Sequence, residues 1–287
     1  HLSTDEHLLF QPSGSKSELL KSLDNIPRYL FRVFTPKATG ITDASWTKSK
    51  DARHGRPSPE VDIFDYTHDT TVAAMLNRHL RWWEGHDNFV SWTSSLLFAL
   101  VYIFYLHAGR RDGSDFADIS LCIIDTTRFA KGAFFQDLDL MRAYSAFDSG
   151  LADMLKLRTE KHEGCFYFGE YLSQGALKIE GKCAIVSAAE LIQRGLFDLQ
   201  PVFEEFAQWP KEYAPRWVYP VFRLRNDIGR RIAGTSTSTV VRAVTRIIQL
   251  FEPPWRLPMA GNLIASRYCQ VEDPSILDFF RGDSFTG

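Results

Sequence analysis

Residues 89–106 read FVSWTSSLLFALVYIFYL, and the fold class turns on this stretch. Phe89-Val90-Ser91-Trp92-Thr93 is rich in β-branched and aromatic residues, which predicts a short strand. Ser94 or Ser95 then offers a hydroxyl to cap a helix over Leu96–Leu106. That apolar run is roughly half of the ~20 residues a membrane-crossing helix needs. It is therefore predicted to be a buried helix of a globular protein.

Upstream, Tyr29-Leu30-Phe31-Arg32-Val33-Phe34 predicts the first strand, which Thr35-Pro36 closes. Residues 1–26 read as an N-terminal arm with a short helix. Residues 36–60 are rich in Gly, Pro, Ser, Thr and Lys and read as a long loop, a kind of segment more often functional than idle. Val72, Leu76, Leu80 and Trp83 recur at helical spacing and predict a helix over Thr70–Trp83, stopped by Gly85.

Downstream, Ile119–Ile124 predicts a second clear strand, and helical segments follow between Leu138 and Leu157 with Gly150 as a break. Phe166-Tyr167-Phe168 and Ala176–Val186 read as further strands. Ser187-Ala188-Ala189-Glu190 matches a capping box for a helix ending near Gly195. Pro201 opens another helix to about Gln208. After Pro210 the pattern is mainly helical, with Val240, Val244, Ile247, Ile248 and Phe251 on one apolar face. Strands and helices mix without regular βαβ alternation, so the expected class is α+β. The expected organisation is an arm over 1–26, a domain over 27–209, and a helical C-terminal extension over 210–287 packed on that domain.

Composition sets the outer bounds. The chain has 287 residues, 45% hydrophobic and 24% charged, with a net charge of −2, so no global pull toward nucleic acid or membrane follows. Cys122, Cys165, Cys183 and Cys269 form no C-x-x-C pair, which removes zinc-ribbon and redox-motif readings. His162-Glu163-Gly164-Cys165 has no second ligand pair and reads as a loop, so no metal is expected. His1–Glu6 is polar with no signal-peptide core. The expectation is a soluble, intracellular protein, with a leader removed beforehand as the alternative.

Three chemistry-bearing residues fall in order: Arg32 within a strand, Ser91 in the strand that runs into a helix, and Glu170 in Phe168-Gly169-Glu170-Tyr171-Leu172-Ser173. This order over about Tyr29–Val186 resembles the R–S–E pattern of ADP-ribosyltransferases. The layout is also similar to domains of filamentous-fungal proteins. The resemblance implies a split pair of small β-sheets around an NAD cleft. It maps the family's arginine onto Arg32, its first serine onto Ser91, and its glutamate onto Glu170. NAD would be the substrate, and water, a protein or a nucleic acid the acceptor of ADP-ribose. Cleaving the nicotinamide–ribose bond builds positive charge on the sugar, and a carboxylate at Glu170 suits that charge. A guanidinium at Arg32 suits the pyrophosphate. Ser91 and Thr93 would present hydroxyls to the cofactor or to the glutamate.

Two residues depart from that pattern. Trp92 replaces the motif's threonine, and Phe168 stands two positions before Glu170, where arginine-modifying members carry a second glutamate. A phenyl ring can neither take a proton nor accept a hydrogen bond from an acceptor side chain, which argues against transfer to arginine. The remaining readings are NAD hydrolysis, transfer to another acceptor, or a catalytically silent interaction module. A third class, nucleic-acid binding, would use Arg223, Arg225, Arg230, Arg231, Arg242 and Arg246. Ser236-Thr237-Ser238 spells the family tripeptide but follows Glu170 in the chain and precedes a helix, so it reads as a cap.

Overall fold

A computed structural model describes residues 7–55, 60–164, 166–210, 218–229, 236–266, 273–282 and 285. The elements begin with β1 (His7–Leu8), a 3-10 helix (Gly14–Asp24), β2 (Tyr29–Phe34), β3 (Ile41–Thr42), β4 (Trp46–Lys48) and α1 (Lys50–Arg53). Then come α2 (Asp69–Leu80), β5 (Phe89–Thr93), α3 (Leu96–Ala108), β6 (Ser120–Asp125), β7 (Phe135–Gln136), α4 (Asp137–Tyr144), α5 (Ser149–Thr159), β8 (Glu170–Lys178) and β9 (Cys183–Ser187). Helices complete the described chain: α6 (Ala188–Gln193), α7 (Leu196–Leu199), α8 (Val202–Ala207), α9 (Val218–Gly229), α10 (Thr237–Ile248), α11 (Pro253–Ala265) and α12 (Pro274–Arg281). The class is α+β. The chain divides into two compact units, each assembled from separated segments.

The first unit comprises His1–Arg32, Ala38–Ser94 and Ile124–Cys183. Its spine is β8 in a curled antiparallel sheet of order β3-β4-β8-β5-β2, with β1 and β7 also paired to β8. β8 pairs with β5 from Glu170–Thr93 to Gln174–Phe89, and with β4 over Ala176–Lys178. Gly175, at φ +63°, turns the strand between these two partners in a backbone conformation that favours glycine. Val72, Ala73, Leu76 and Leu80 of α2 share a buried core with Leu140, Met141 and Tyr144 of α4 and with Phe89, Phe135 and Leu172 from the sheet. Each fully buried side chain of this kind contributes about 1.5–3 kcal/mol, which fixes α2 against β5 and β8.

The second unit comprises Val33–Lys37, Ser95–Ile123 and Ala184–Gly287. Ser95 caps α3 by accepting from the Phe98 amide. Phe104 of α3 packs among the rings of Phe116, Phe197, Phe203 and Phe206. Val240, Val244, Ile247, Ile248 and Phe251 are all buried, with α10 packed on α7, α11 and α12. Ser187 and Glu190 form the expected capping box, and Ser236 caps α10. The described helices include none long and apolar enough to cross a membrane.

Several elements differ from the sequence reading. The 36–60 loop carries β3, β4 and α1. The helix expected to Trp83 ends at Leu80, because Trp82 takes a left-handed φ of 56°, and Trp82 and Trp83 are exposed. Gly150 lies inside the first turn of α5, and the break falls earlier, at Ser145–Asp148, where Asp148 caps α5. Phe166–Phe168 is not a strand. β8 begins at Glu170, and the expected Ala176–Val186 strand is divided between β8 and β9 by the turn at 179–182. Cys165 and Cys269 lie outside the described residues; Cys122 is buried and Cys183 half-buried.

Gly169 fixes where β8 starts. It adopts φ +67°, and a Cβ there would lie 2.0 Å from Ser94 Oγ, while its carbonyl accepts from the Ser94 amide at 2.8 Å. Gly169→Ala is expected to cost about 1–3 kcal/mol through that strained conformation and close contact. A lowered urea midpoint at unchanged slope checks this. A midpoint equal to that of the unmodified protein contradicts it.

Candidate functional site

Arg32, Ser91 and Glu170 meet in the first unit. β2 lies beside β5, with Phe31 opposite Thr93, and Thr93 lies opposite Glu170 across β5 and β8. Arg32 donates through Nη1 to the Ser91 carbonyl at 2.9 Å and through Nε to Thr42 Oγ1 at 3.1 Å. Ser91 donates its hydroxyl proton to Glu170 Oε1 at 2.6 Å. Thr93 is used differently. Its hydroxyl donates to the Phe168 carbonyl at 2.6 Å and holds the segment entering β8. Trp92 is buried, donating from its indole to Ser173 Oγ at 3.0 Å and lying edge-on to Phe134.

Four residues that the sequence reading did not single out complete the site. His79, near the end of α2, places Nε2 2.8 Å from Ser91 Oγ, and its Nδ1 lies 2.8–2.9 Å from both oxygens of Asp87. Arg158, in the last turn of α5, forms an ion pair with Glu170 Oε2 at 2.8 Å and donates a hydrogen bond to Asp137, the first residue of α4. Both cations are well shielded from solvent, and the Asp137 side chain is fully buried. His79 carried a sequence signal. It follows Leu76 by three positions and Val72 by seven, so it shares the buried face of α2 and needs polar partners there. Arg158 and Asp137 read from sequence as ordinary helix-end charges, and only the tertiary structure brings them to Glu170.

The charges are arranged as a chain of opposite signs. Burial alone would raise the Glu170 carboxyl, but the Arg158 and His79 charges and the Ser91 hydrogen bond outweigh it and hold the group below its usual range. Burial likewise disfavours the His79 cation, yet the Asp87 carboxylate leaves its pKa raised. Asp87 is lowered in turn, because His79 outweighs the burial penalty. Asp137 goes the other way. Burial and the neighbouring Glu170 charge lift it to about 7 against the pull of Arg158. Two carboxyls share one guanidinium, and the less enclosed of them keeps the negative charge.

The residues expected to bind nucleic acid belong to the second unit. Arg246 is ion-paired with Asp198 and Arg242 donates to Thr239 Oγ1 at 3.2 Å, while Arg230 and Arg231 lie outside the described residues. No group of three metal-binding side chains occurs among the described residues.

Asp137 makes stability depend on pH in a defined direction. An ordinary aspartate titrates at 3.8, while Asp137 in the folded chain holds its proton to about 7. The folded state therefore binds an extra proton across that window. Its stabilising contribution is complete below 3.8 and is lost as pH rises to about 7. Asp137→Asn keeps a neutral, isosteric group, so the melting temperature of the variant should gain on that of the unmodified protein as pH rises through the window. Parallel melting curves across it would show that Asp137 is not raised.

No curated protein and no solved structure gives a significant match to the chain. A family model described as Domain of unknown function (DUF7587) matches residues 25–194, the segment that carries Arg32, His79, Ser91, Asp137, Arg158 and Glu170. The chain belongs to the DUF7587 family.

Proposed function

We propose that the chain cleaves NAD at the nicotinamide–ribose bond, as an ADP-ribosyltransferase or NAD glycohydrolase with the sheet arrangement of that fold. The observation that carries this reading is the direct linkage of its three residues: Arg32 to the Ser91 carbonyl, and the Ser91 hydroxyl to Glu170. Glu170 is ionised, and its strand start is fixed by Gly169 and by the Thr93 hydrogen bond. In the reaction, nicotinamide leaves with the electron pair of the glycosidic bond. The carboxylate of Glu170 stabilises the positive charge that develops on the ribose, in a water-poor setting where such charge pairs count most. Ser91 orients that carboxylate, and Arg32 faces the pyrophosphate. Water, or a hydroxyl of a macromolecule inside the cell, accepts the ADP-ribose.

A second reading, a catalytically silent interaction module, is favoured by one observation. Both Glu170 oxygens already accept protein donors, Oε1 from Ser91 and Oε2 from Arg158.

Nicotinamide release separates the two readings. The unmodified chain incubated with NAD should release nicotinamide, and Glu170→Gln should slow release by about 10²–10³-fold, because it removes charge that acts in the transition state. Arg32→Ala should appear mainly in KM. Equal rates for Glu170→Gln and the unmodified protein would remove Glu170 from the chemistry. Absence of release from any variant, with or without cell extract, leaves the silent module.

A further inference from the structure

We infer that Asp87, His79 and Ser91 form a proton relay ending on Glu170, which takes up the proton shed by the acceptor when ADP-ribose is transferred to water or a hydroxyl. The catalytic half of this inference rests on the NAD-cleaving reading; the relay itself rests on geometry.

The argument begins with a proton count. The Ser91 hydroxyl has one proton and stands between two polar atoms, His79 Nε2 at 2.8 Å and Glu170 Oε1 at 2.6 Å. Asp87 accepts from Nδ1 through either carboxylate oxygen, so it fixes the ring with a proton on Nδ1. In the neutral ring Nε2 is then a lone pair aimed at Ser91. A proton arriving on Glu170 can pass to Ser91 while Ser91 passes its own to Nε2. The result is an imidazolium donating at both nitrogens, Ser91 donating again to Glu170, and a carboxylate restored on Glu170. In that final state every hydrogen bond is satisfied, whereas before it the one Ser91 proton serves either Nε2 or Oε1, and no heavy atom needs to move.

The reaction requires such a sink. As the acceptor oxygen bonds to the ribose carbon, its O–H bond breaks and the proton must leave. Phe168, two residues before Glu170, has no group to take it. Glu170, whose carboxyl Arg158 and His79 hold below its usual range against burial, is the weaker base alone. The imidazole behind Ser91 is the better base, and Asp87 raises its affinity for the proton. The charged groups acting on His79 are Asp87 and Glu170, which favour its protonation, and Arg32, which opposes it; Lys50 acts on Asp87. His79 is thus a positioning and proton-holding residue that acts through Ser91.

The test pairs nitrogen-15 spectra of the histidine rings with nicotinamide release across pH, on the full chain. The rate should rise with pH through the His79 titration. Asp87→Asn should lower the His79 pKa and move the inflection of the rate by the same amount. It should lower kcat by about 10²–10⁴-fold with little change in KM, while the melting temperature reports on the fold. Glu170→Gln should lower the His79 pKa, since it removes a negative charge two hydrogen bonds away. A rate inflection that stays put when Asp87→Asn moves the His79 titration overturns the relay and leaves NAD cleavage standing. If the unmodified chain releases no nicotinamide, NAD cleavage fails and the spectra decide the relay alone. A His79 titration unchanged by Glu170→Gln overturns it, and a lowered one upholds the coupling of His79 to Glu170 that the relay requires.

Discussion

The register of β5 on β8, with Thr93 opposite Glu170, is the constraint on which the rest of the site depends. Opposed residues of an antiparallel pair share a face, and so do residues two apart on one strand. Ser91 and Thr93 therefore stand on the face of Glu170. A slip of one residue would bring Trp92 there and send both hydroxyls to the other side. Several features hold the register at its critical end. Gly169 allows the backbone turn and leaves room for Ser94, Thr93 ties down the Phe168 carbonyl, and buried Trp92 grips Ser173. These contacts give physical content to the departures from the R–S–E pattern. Trp92 anchors the strand from its other face, and Thr93 positions the segment before the glutamate.

Once the register is set, electrostatics governs what can be buried. An isolated carboxylate in this setting would be too costly to keep ionised. Glu170 stays ionised because Arg158, His79 and the Ser91 hydroxyl surround it, and Asp87 in turn supports the His79 cation. Arg158 cannot serve two full negative charges equally in so closed a space. Asp137, fully buried at the head of α4, therefore takes the proton up to about pH 7. Helix ends supply three of these groups: His79 near the C-terminus of α2, Asp137 at the N-terminus of α4, and Arg158 in the last turn of α5. Their helices pack on one another, so the hydrophobic core sets the distances between charges.

The sequence made some of this legible and not the rest, for reasons that follow from range. β2 and β5 were readable because alternation and β-propensity act within a few residues. The caps at Ser95, Ser187 and Ser236 were readable because a cap is a local hydrogen bond. Arg32, Ser91 and Glu170 were legible only as an ordered set, through resemblance. The start of β8 was obscured because Phe166–Phe168 has strand-like composition, while a positive φ at Gly169 decides the boundary. The α4–α5 break was misplaced at Gly150 because Asp148, a local cap, outweighs a glycine tolerated in a first turn. Arg158 and Asp137 gave no local signal at all. Each is compatible with a solvated helix end, and their pairing across 21 residues is a product of α4 packing against α5.

Arg158 carries the tension between the two functional readings. The guanidinium that allows Glu170 to remain charged away from water also occupies one of its oxygens and weakens it as a base. For an interaction module this is sufficient, since a neutralised, hydrogen-bonded core needs no reactive group. For an NAD-cleaving site it is an asset in one step and a handicap in the next. An ionised carboxylate stabilises positive charge on the ribose, but a carboxyl held below its usual range keeps an acceptor proton poorly. The second demand calls for another base within reach of Glu170. The Asp87–His79 pair behind Ser91 meets it through hydrogen bonds already in place. A silent core would be about as stable with apolar residues in place of both His79 and Asp87, since a buried ion pair generally gains little over apolar packing of similar volume. The presence of a titratable histidine on the apolar face of α2, held by Asp87 and joined to the proposed carboxylate through a single hydroxyl, is a feature that proton transfer accounts for and packing alone does not.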